Sequence, residues 1–329
     1  MNNSLFKIIG NTPLVSICDD KKVYAKLEYF NPGGSIKDRS AWYLVEHAEK
    51  NGLLKPGYTI IDASSGNHGI ALAMIGAIKG YSVIITSSEK TSLEKQRAMQ
   101  AYGATVILCP PTDFIDDPQS YHSRAVALAR EIPNSCMLNQ YFNPVNAQAH
   151  YHLLGPEIYK QTDRAVTHFF AAAGTGGTIS GAGAYLKEQN PHIKVIAVDA
   201  ANSYRSTGGH PKPYKVEGMG IDFDSPVMRY DVIDQIIPVT DDQALVMLKK
   251  IAQSKGLLVG PSSGAVAHAV LEYTSNPDLF NPKKDCAVAI FGDSGRAYLT
   301  KNFYTQSPQD QELLLKNSAC KLGNDMIIK

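Results

Sequence analysis

Three times along this chain an apolar run of strand length passes straight into a glycine- and serine-rich loop, and each loop passes straight into a helical pattern. Residues 58–63 lead into Ser64-Ser65-Gly66-Asn67-His68-Gly69 and a helix over 70–79. Residues 168–173 lead into Gly174-Thr175-Gly176-Gly177-Thr178 and a helix to about 187, and residues 257–259 lead into Gly260-Pro261-Ser262-Ser263-Gly264 and a helix to about 273. Strands alternating with helices predict an α/β fold with mostly parallel central sheets and helices on both sheet faces. In open parallel sheets ligands bind at the carboxyl ends of the strands, where these loops fall, and helix N-termini there offer unpaired N–H groups to anions. The three loops are therefore candidates for one common site.

The alternation continues elsewhere. Strands are expected over residues 23–30, 81–86, 105–108, 136–138, 195–199 and 286–291, and helices over 92–102, 120–130, 146–159 and 241–255. Residues 201–214, rich in Ser, Gly and Pro, read as a loop long enough to be functional. Beyond Tyr304 the chain is polar, with only residues 312–316 looking helical, and 305–329 is expected to be a peripheral tail. At 329 residues and 44% hydrophobic content, the chain can bury a large core in one large or two interlocked domains.

One lysine stands out. In Asn31-Pro32-Gly33-Gly34-Ser35-Ile36-Lys37-Asp38-Arg39 the two glycines allow a tight approach to a helix, and Ser35 with Asp38 three residues on resembles a capping box. Apolar Ala41, Leu44, Val45 and Ala48 then mark one helical face, which stops at Asn51-Gly52. Lys37 falls in the first turn, where the helix dipole disfavours an ammonium and burial would push the amine further below the ordinary ~10.4. A lysine made neutral in this way is a nucleophile able to form a Schiff base. A solvated lysine beside an ordinary cap is the competing reading.

Composition narrows the partners. The net charge is +1 with no long basic run, so nothing asks for nucleic acid or an anionic membrane, and a small-molecule partner is expected. Cys18, Cys109, Cys136, Cys286 and Cys320 lack the close pairing of a zinc or redox site, which fits a reducing cytosol and no metal. The most apolar run, residues 70–78, is too short to span a bilayer, and residues 1–10 carry no export signal.

The loops differ in equipment. Gly174 to Thr178 carries no Lys or Arg, yet its backbone can approach a phosphate and its threonines add donors. It is a neutral phosphate cup or simply a tight turn. It lacks the P-loop lysine and the G-x-G-x-x-G dinucleotide pattern. The Ser64 to His68 loop offers hydroxyls, an amide and a helix N-terminus to a carboxylate, or is a serine-rich cap. Ser262 or Ser263 could hydrogen-bond a heteroaromatic nitrogen, or cap a helix. His68, His150 and His152 are possible acids, though His150 and His152 lack the spacing that places two ligands on one helical face.

Taken together, and in this order, the 31–39, 64–69 and 174–178 stretches, Glu217-Gly218-Met219-Gly220 and the 260–264 loop resemble the fold-type II pyridoxal phosphate enzymes. Ile132-Pro133-Asn134-Ser135, Asn139-Gln140-Tyr141 and the 214–218 and 222–223 stretches lean within that group toward the cystathionine β-synthase side of the cysteine synthase branch. The resemblance covers nearly the whole chain, from Ile9-Gly10-Asn11-Thr12-Pro13-Leu14 to about Tyr304. It implies two interlocked three-layer α/β domains of the tryptophan synthase β-like kind. Residues 38–145 would form the smaller, mobile one, and residues 1–37 and 146–304 the larger.

It also implies pyridoxal 5′-phosphate as cofactor, with Lys37 as the Schiff-base lysine and proton carrier, and Asn67 at the ring hydroxyl. Gly174, Thr175, Gly176, Gly177 and Thr178 would cradle the phosphate, and Ser262 would meet the pyridine nitrogen. Ser64, Ser65, His68 and Gln140 would receive the substrate carboxylate. A serine hydroxyl at the ring nitrogen gives little support to a charged pyridinium, which encourages elimination over a long-lived carbanion. The implied reaction is β-replacement, joining serine or an O-activated serine to homocysteine, in a cytoplasmic homodimer. Cysteine synthesis from O-acetylserine and sulfide is the alternative; a dehydratase, a synthase using a nitrogen nucleophile and a non-catalytic binding homologue stand behind it. Two departures matter: His68 replaces a usual threonine in a motif reminiscent of dehydratases, and Ile221 stands where human-type cystathionine β-synthases carry tyrosine. Regulation by haem or paired C-terminal modules is not expected.

Overall fold

The alternation of apolar runs becomes ten strands and nine α-helices in the computed structural model, which describes residues 5–112 and 114–304. The expected tail over 305–329, with its helix over 312–316, lies outside the described residues. In chain order the elements are β1 (Leu14–Ser16), β2 (Val23–Leu27), α1 (Lys37–Lys50), β3 (Thr59–Ala63), α2 (Asn67–Lys79), β4 (Ser82–Ser88) and α3 (Leu93–Ala101). Next come β5 (Thr105–Cys109), α4 (Tyr121–Glu131), β6 (Ser135–Met137), α5 (Val145–His152), α6 (Leu154–Gln161), β7 (His168–Ala172) and α7 (Gly177–Gln189). The rest are β8 (Lys194–Ala200), β9 (Gln235–Val239), α8 (Asp241–Lys255), α9 (Pro261–Ser275) and β10 (Ala287–Phe291).

The strands form two sheets. One runs β1-β2-β10-β7-β8-β9, parallel except for the short antiparallel β1, and the other runs β5-β4-β3-β6, parallel throughout. Helices cover both faces of each sheet, as strands buried on both sides require. Alternation along β7 shows how: Phe170 packs with α8 and α9 residues such as Ala244 and Val266, whereas Phe169 packs with Ile158 of α6 and Ile179 of α7. In the smaller sheet Ile60 meets α1 and α2, and Ile61 meets α4. The result is two three-layer α/β units.

The structure departs from the sequence-based expectations at a few places, each with a physical reason. The strand over 23–30 ends at Leu27, because Glu28 turns inward through a 3₁₀ turn to accept from Arg39 and Thr12. The helix over 146–159 is two helices, broken at Leu153: Pro156 has no N–H to give the carbonyl of His152. The capping box at the start of α1 does not form. Ser35 Oγ accepts from Lys37 N at 3.2 Å, and Asp38 turns back to accept from Gly33 N at 2.5 Å. Strands β1 and β9 were not anticipated. Pro238 argues against a strand, yet β9 lies at the sheet edge, where a missing N–H leaves no ladder partner unsatisfied.

Candidate active site

The carboxyl ends of β3, β7 and β10 point to one region, and the chain entering α1 is stitched to it. Ile36 N donates to Gly292 O at 2.9 Å and Ser35 bridges Asp293, so the lysine loop is held against the end of β10. Arg39, two residues after Lys37, anchors the helix from below: it donates to Glu28 at 2.7 and 2.8 Å and to Glu157 at 2.8 and 3.1 Å. Lys26 completes this buried group by pairing with Glu157. Two cations and two carboxylates cancel, which is what allows four charges to leave water together.

Lys37 is the first residue of α1 and reaches the shared wall of two adjoining cavities. Burial pushes its amine down to about 8, against the opposing pull of the Asp293 carboxylate. With Lys37, one cavity of about 50 Å³ is lined by Asn67, Gly174, Thr175, Gly176, Thr178, Ser262 and Asp293. The other, of about 80 Å³, is lined by Lys37, Ser64, Ser65, Asn67, His68, Gln140, Gly174 and Thr175. Of the residues that the family resemblance places at the cofactor or substrate, Gly177 alone lines neither. It opens α7 with its Cα against Asn146, where a Cβ would lie 2.4 Å from Oδ1.

Local contacts explain how each loop is shaped. Gly176 has φ +90°, and a Cβ there would lie 2.8 Å from the Met228 backbone, so the tight turn before α7 requires glycine. Arg205 donates to the carbonyls of Ala173 and Gly174 at 2.9 and 2.7 Å, and Asn146 donates to Thr175 Oγ1 at 3.0 Å. These contacts, with Gly177 N donating to Thr175 Oγ1 at 3.3 Å, fix the backbone at the N-terminus of α7, whose dipole suits an anion. Behind the cup, His150 lies 3.4 Å from Thr178 Oγ1, and burial holds it well below the usual histidine range, in its neutral form. His152 is exposed, stacked on Tyr43, and outside the site.

In the serine loop, Ser64 Oγ accepts from Gly66 N at 3.1 Å and Gly69 N at 2.9 Å, so it shapes the turn as a cap. Ser65 is exposed to the cavity. Gln140 is buried and donates to Ala63 O at 3.1 Å. His68 Nε2 lies 3.0 Å from Asp62 Oδ2, both buried, so its ring is turned to the end of β3. At α9, Ser263 Oγ accepts from Gly292 N at 3.1 Å, while Ser262 lines the cavity. A cleft of about 580 Å³ opens beside Ser65 and Tyr141 and is walled by Tyr121, Tyr214 and the residues 215–223.

Sequence reasoning gave no role to Asp293, Arg205 or Asn146. Asp293 had a signal, because Gly292-Asp293-Ser294-Gly295 follows an apolar strand as the other site loops do. Arg205 lies in the 201–214 loop, whose partner only the folded chain reveals.

A family model described as pyridoxal-phosphate dependent enzyme matches residues 5–292. The chain belongs to that family. Among members of this pyridoxal-phosphate dependent family, a cystathionine beta-synthase of Apis mellifera is 43% identical over 304 residues, covering 89% of this chain and 60% of its own length. The chain thus spans less than two thirds of that relative. An O-acetylserine dependent cystathionine beta-synthase of Bacillus subtilis is 40% identical, with 91% of this chain and 96% of the relative covered. The crystal structure of an O-acetylserine dependent cystathionine beta-synthase from Helicobacter pylori superposes with a TM-score of 0.86 at 36% identity, covering 93% and 99% of the two chains.

Pyridoxal phosphate is the family's cofactor, and the donor set suits it. A helix N-terminus without side-chain cations serves a phosphate, a free serine hydroxyl serves a ring nitrogen, an amide serves a ring oxygen, and a lysine with a lowered pKa serves an aldehyde. Gly174 Cα and Gly218 O approach closely enough that a Cβ on Gly174 would lie 3.1 Å from that oxygen, so the cradle is floored by backbone.

Proposed function

We propose that this protein is a β-replacement enzyme of sulfur amino acid metabolism that joins an O-activated serine or serine itself to homocysteine. The observation that carries the reading is the placement of Lys37: a half-buried lysine, its amine lowered to about 8 by desolvation, where the cavity of the phosphate cup meets that of the serine loop. In this reading Lys37, Asn67, the 174–178 cup and Ser262 hold the cofactor. When bound, pyridoxal phosphate supplies the electron sink that lets an α-proton and a β-substituent leave. Lys37 Nζ takes the α-proton and later returns it, and the nearby Asp293 carboxylate stabilises the ammonium in between.

Ser65, Gln140 and the N-terminus of α2 receive the substrate carboxylate, with Ser64 holding the loop in shape. His68, backed by Asp62, fills the place of a usual threonine at the wall of the same cavity. The cleft beside Tyr141 and residues 215–223 has the volume for a thiol substrate with an amino acid tail, more than sulfide needs. That volume favours homocysteine over sulfide, and the near full-length match to relatives named O-acetylserine dependent supports an O-acetylated donor. We further place the enzyme in the cytoplasm as a homodimer, by family resemblance; among the described residues no helix is long and apolar enough to cross a membrane.

The test is an assay of purified protein with O-acetylserine plus homocysteine, serine plus homocysteine, O-acetylserine plus sulfide, and serine alone. Cystathionine in the first is the expected outcome. Pyruvate and ammonia as the only products would sink the synthase reading in favour of a dehydratase. A dominant cysteine product would move the assignment to cysteine synthase.

A further inference from the structure

Asp293 follows β10, and three loops of the site meet on it. Ser35 bridges it through the backbone two residues before Lys37. Its carbonyl accepts from Gly260 N at 3.0 Å, at the entrance to α9. Its Oδ2 accepts from Asn67 Nδ2 at 2.7 Å, at the start of α2, and from the Tyr298 hydroxyl at 2.6 Å. The residue is 2% exposed, and its Oδ1 has no hydrogen-bond partner. That second oxygen packs against Gly260, where a Cβ would lie 1.9 Å away. A carboxylate withdrawn from water to this extent is costly unless its contacts do specific work. Burial raises this carboxyl above the ordinary carboxylate range, and the Lys95 ammonium, 2.9 Å from the Tyr298 hydroxyl, is the strongest opposing pull toward its charged form.

An asparagine amide can present either its oxygen or its nitrogen to a ligand, and the two differ in donor and acceptor character. With one Nδ2 hydrogen committed to Asp293, the Asn67 amide has one favoured orientation. We propose that Asp293 is a positioning residue for Asn67, locking the amide so that the same Asn67 atom always meets the cofactor ring. This rests on the reading of Asn67 as a cofactor-contacting residue. The carboxylate suits the task because it only accepts, so it selects the nitrogen end of the amide, which a hydroxyl, able to donate as well, would not enforce.

The test is a double-mutant cycle on the holoenzyme, read by the wavelength of the bound cofactor's visible band and by the dissociation constant of pyridoxal phosphate. Asn67→Ala, Asp293→Ala and the double variant form the cycle. The expected result is that Asp293→Ala moves the band in the direction of Asn67→Ala and weakens cofactor binding about tenfold, with little further change in the double variant. Asp293→Asn, whose carbonyl can still accept from Asn67, restores most of the band position. Should Asp293→Ala fail to fold, Asp293→Ser replaces it in the same cycle, because serine keeps a polar group there but falls short of Asn67. Two additive shifts, or a band moved by Asn67→Ala and unmoved by either Asp293 variant, would overturn the inference alone. A band unmoved by Asn67→Ala would overturn the reading of Asn67 beneath it.

Discussion

An ordinary lysine is neutral in roughly one molecule in a few thousand at pH 7, whereas an amine at about 8 is neutral in roughly one in ten. In the proposed role, that difference is what lets Lys37 act as a nucleophile. Since the reactive form is the unprotonated one, the rate at which cofactor-free protein captures pyridoxal phosphate should rise with pH and level off above about 8. Stopped-flow absorbance across the neutral to alkaline range checks this. An inflection near the ordinary lysine value would mean that burial does not tune Lys37. Its neighbour Asp38 responds to the same burial in the opposite sense, pushed up to about 7, because desolvation always disfavours the charged form.

At the scale of elements, the site is a set of strand ends and helix starts held by backbone contacts. The cup before α7 depends on Gly176, whose positive φ and contact with the Met228 backbone leave no room for a side chain. Gly176→Ala should cost about 1–3 kcal/mol of stability and weaken pyridoxal phosphate binding at least about tenfold, while Lys37 keeps its reactivity toward a small aldehyde that lacks a phosphate. Cofactor titration beside capture of that aldehyde separates the two effects. An equal loss of both would mean that the turn supports the whole site rather than the phosphate alone. The cup and the serine loop were legible in the sequence because strand, glycine loop and helix follow one another without a gap. The break at Leu153 and the inward turn at Glu28 were less so, since one depends on Pro156 reaching back four residues and the other on an arginine that is distant until the chain folds.

Across the whole molecule, the two sheet units meet through charged side chains. Lys95, on α3 beside the smaller sheet, is 3% exposed; it donates to Glu217 at 3.0 Å and to Tyr298 at 2.9 Å, both on segments that pack with the larger sheet. Lys301 pairs with the same Glu217 at 3.0 Å, and Glu94 accepts from Thr300 N at 2.7 Å. Glu217→Gln would leave the buried Lys95 ammonium with only neutral acceptors, the new amide oxygen and the Tyr298 hydroxyl, which should cost about 1–3 kcal/mol. Denaturant unfolding measures the loss, and hydrogen exchange should show faster opening in α3 than in β10. A variant as stable as the parent, with α3 unchanged, would mean that Lys95 finds water or another anion there.

By itself the sequence determined the parallel α/β fold and the loops that reach the strand ends, because these follow from local periodicity and from which residues can adopt a tight turn; it singled out Lys37 as a candidate, and the family resemblance gave that lysine its proposed role. It could not supply the contacts between distant segments. Only the tertiary structure tied Ser263 to Gly292, set His68 against Asp62, and brought Asp293 to Asn67 across 226 positions of chain. Those decisions rest on through-space hydrogen bonds and burial, which exist only once the two units have packed together.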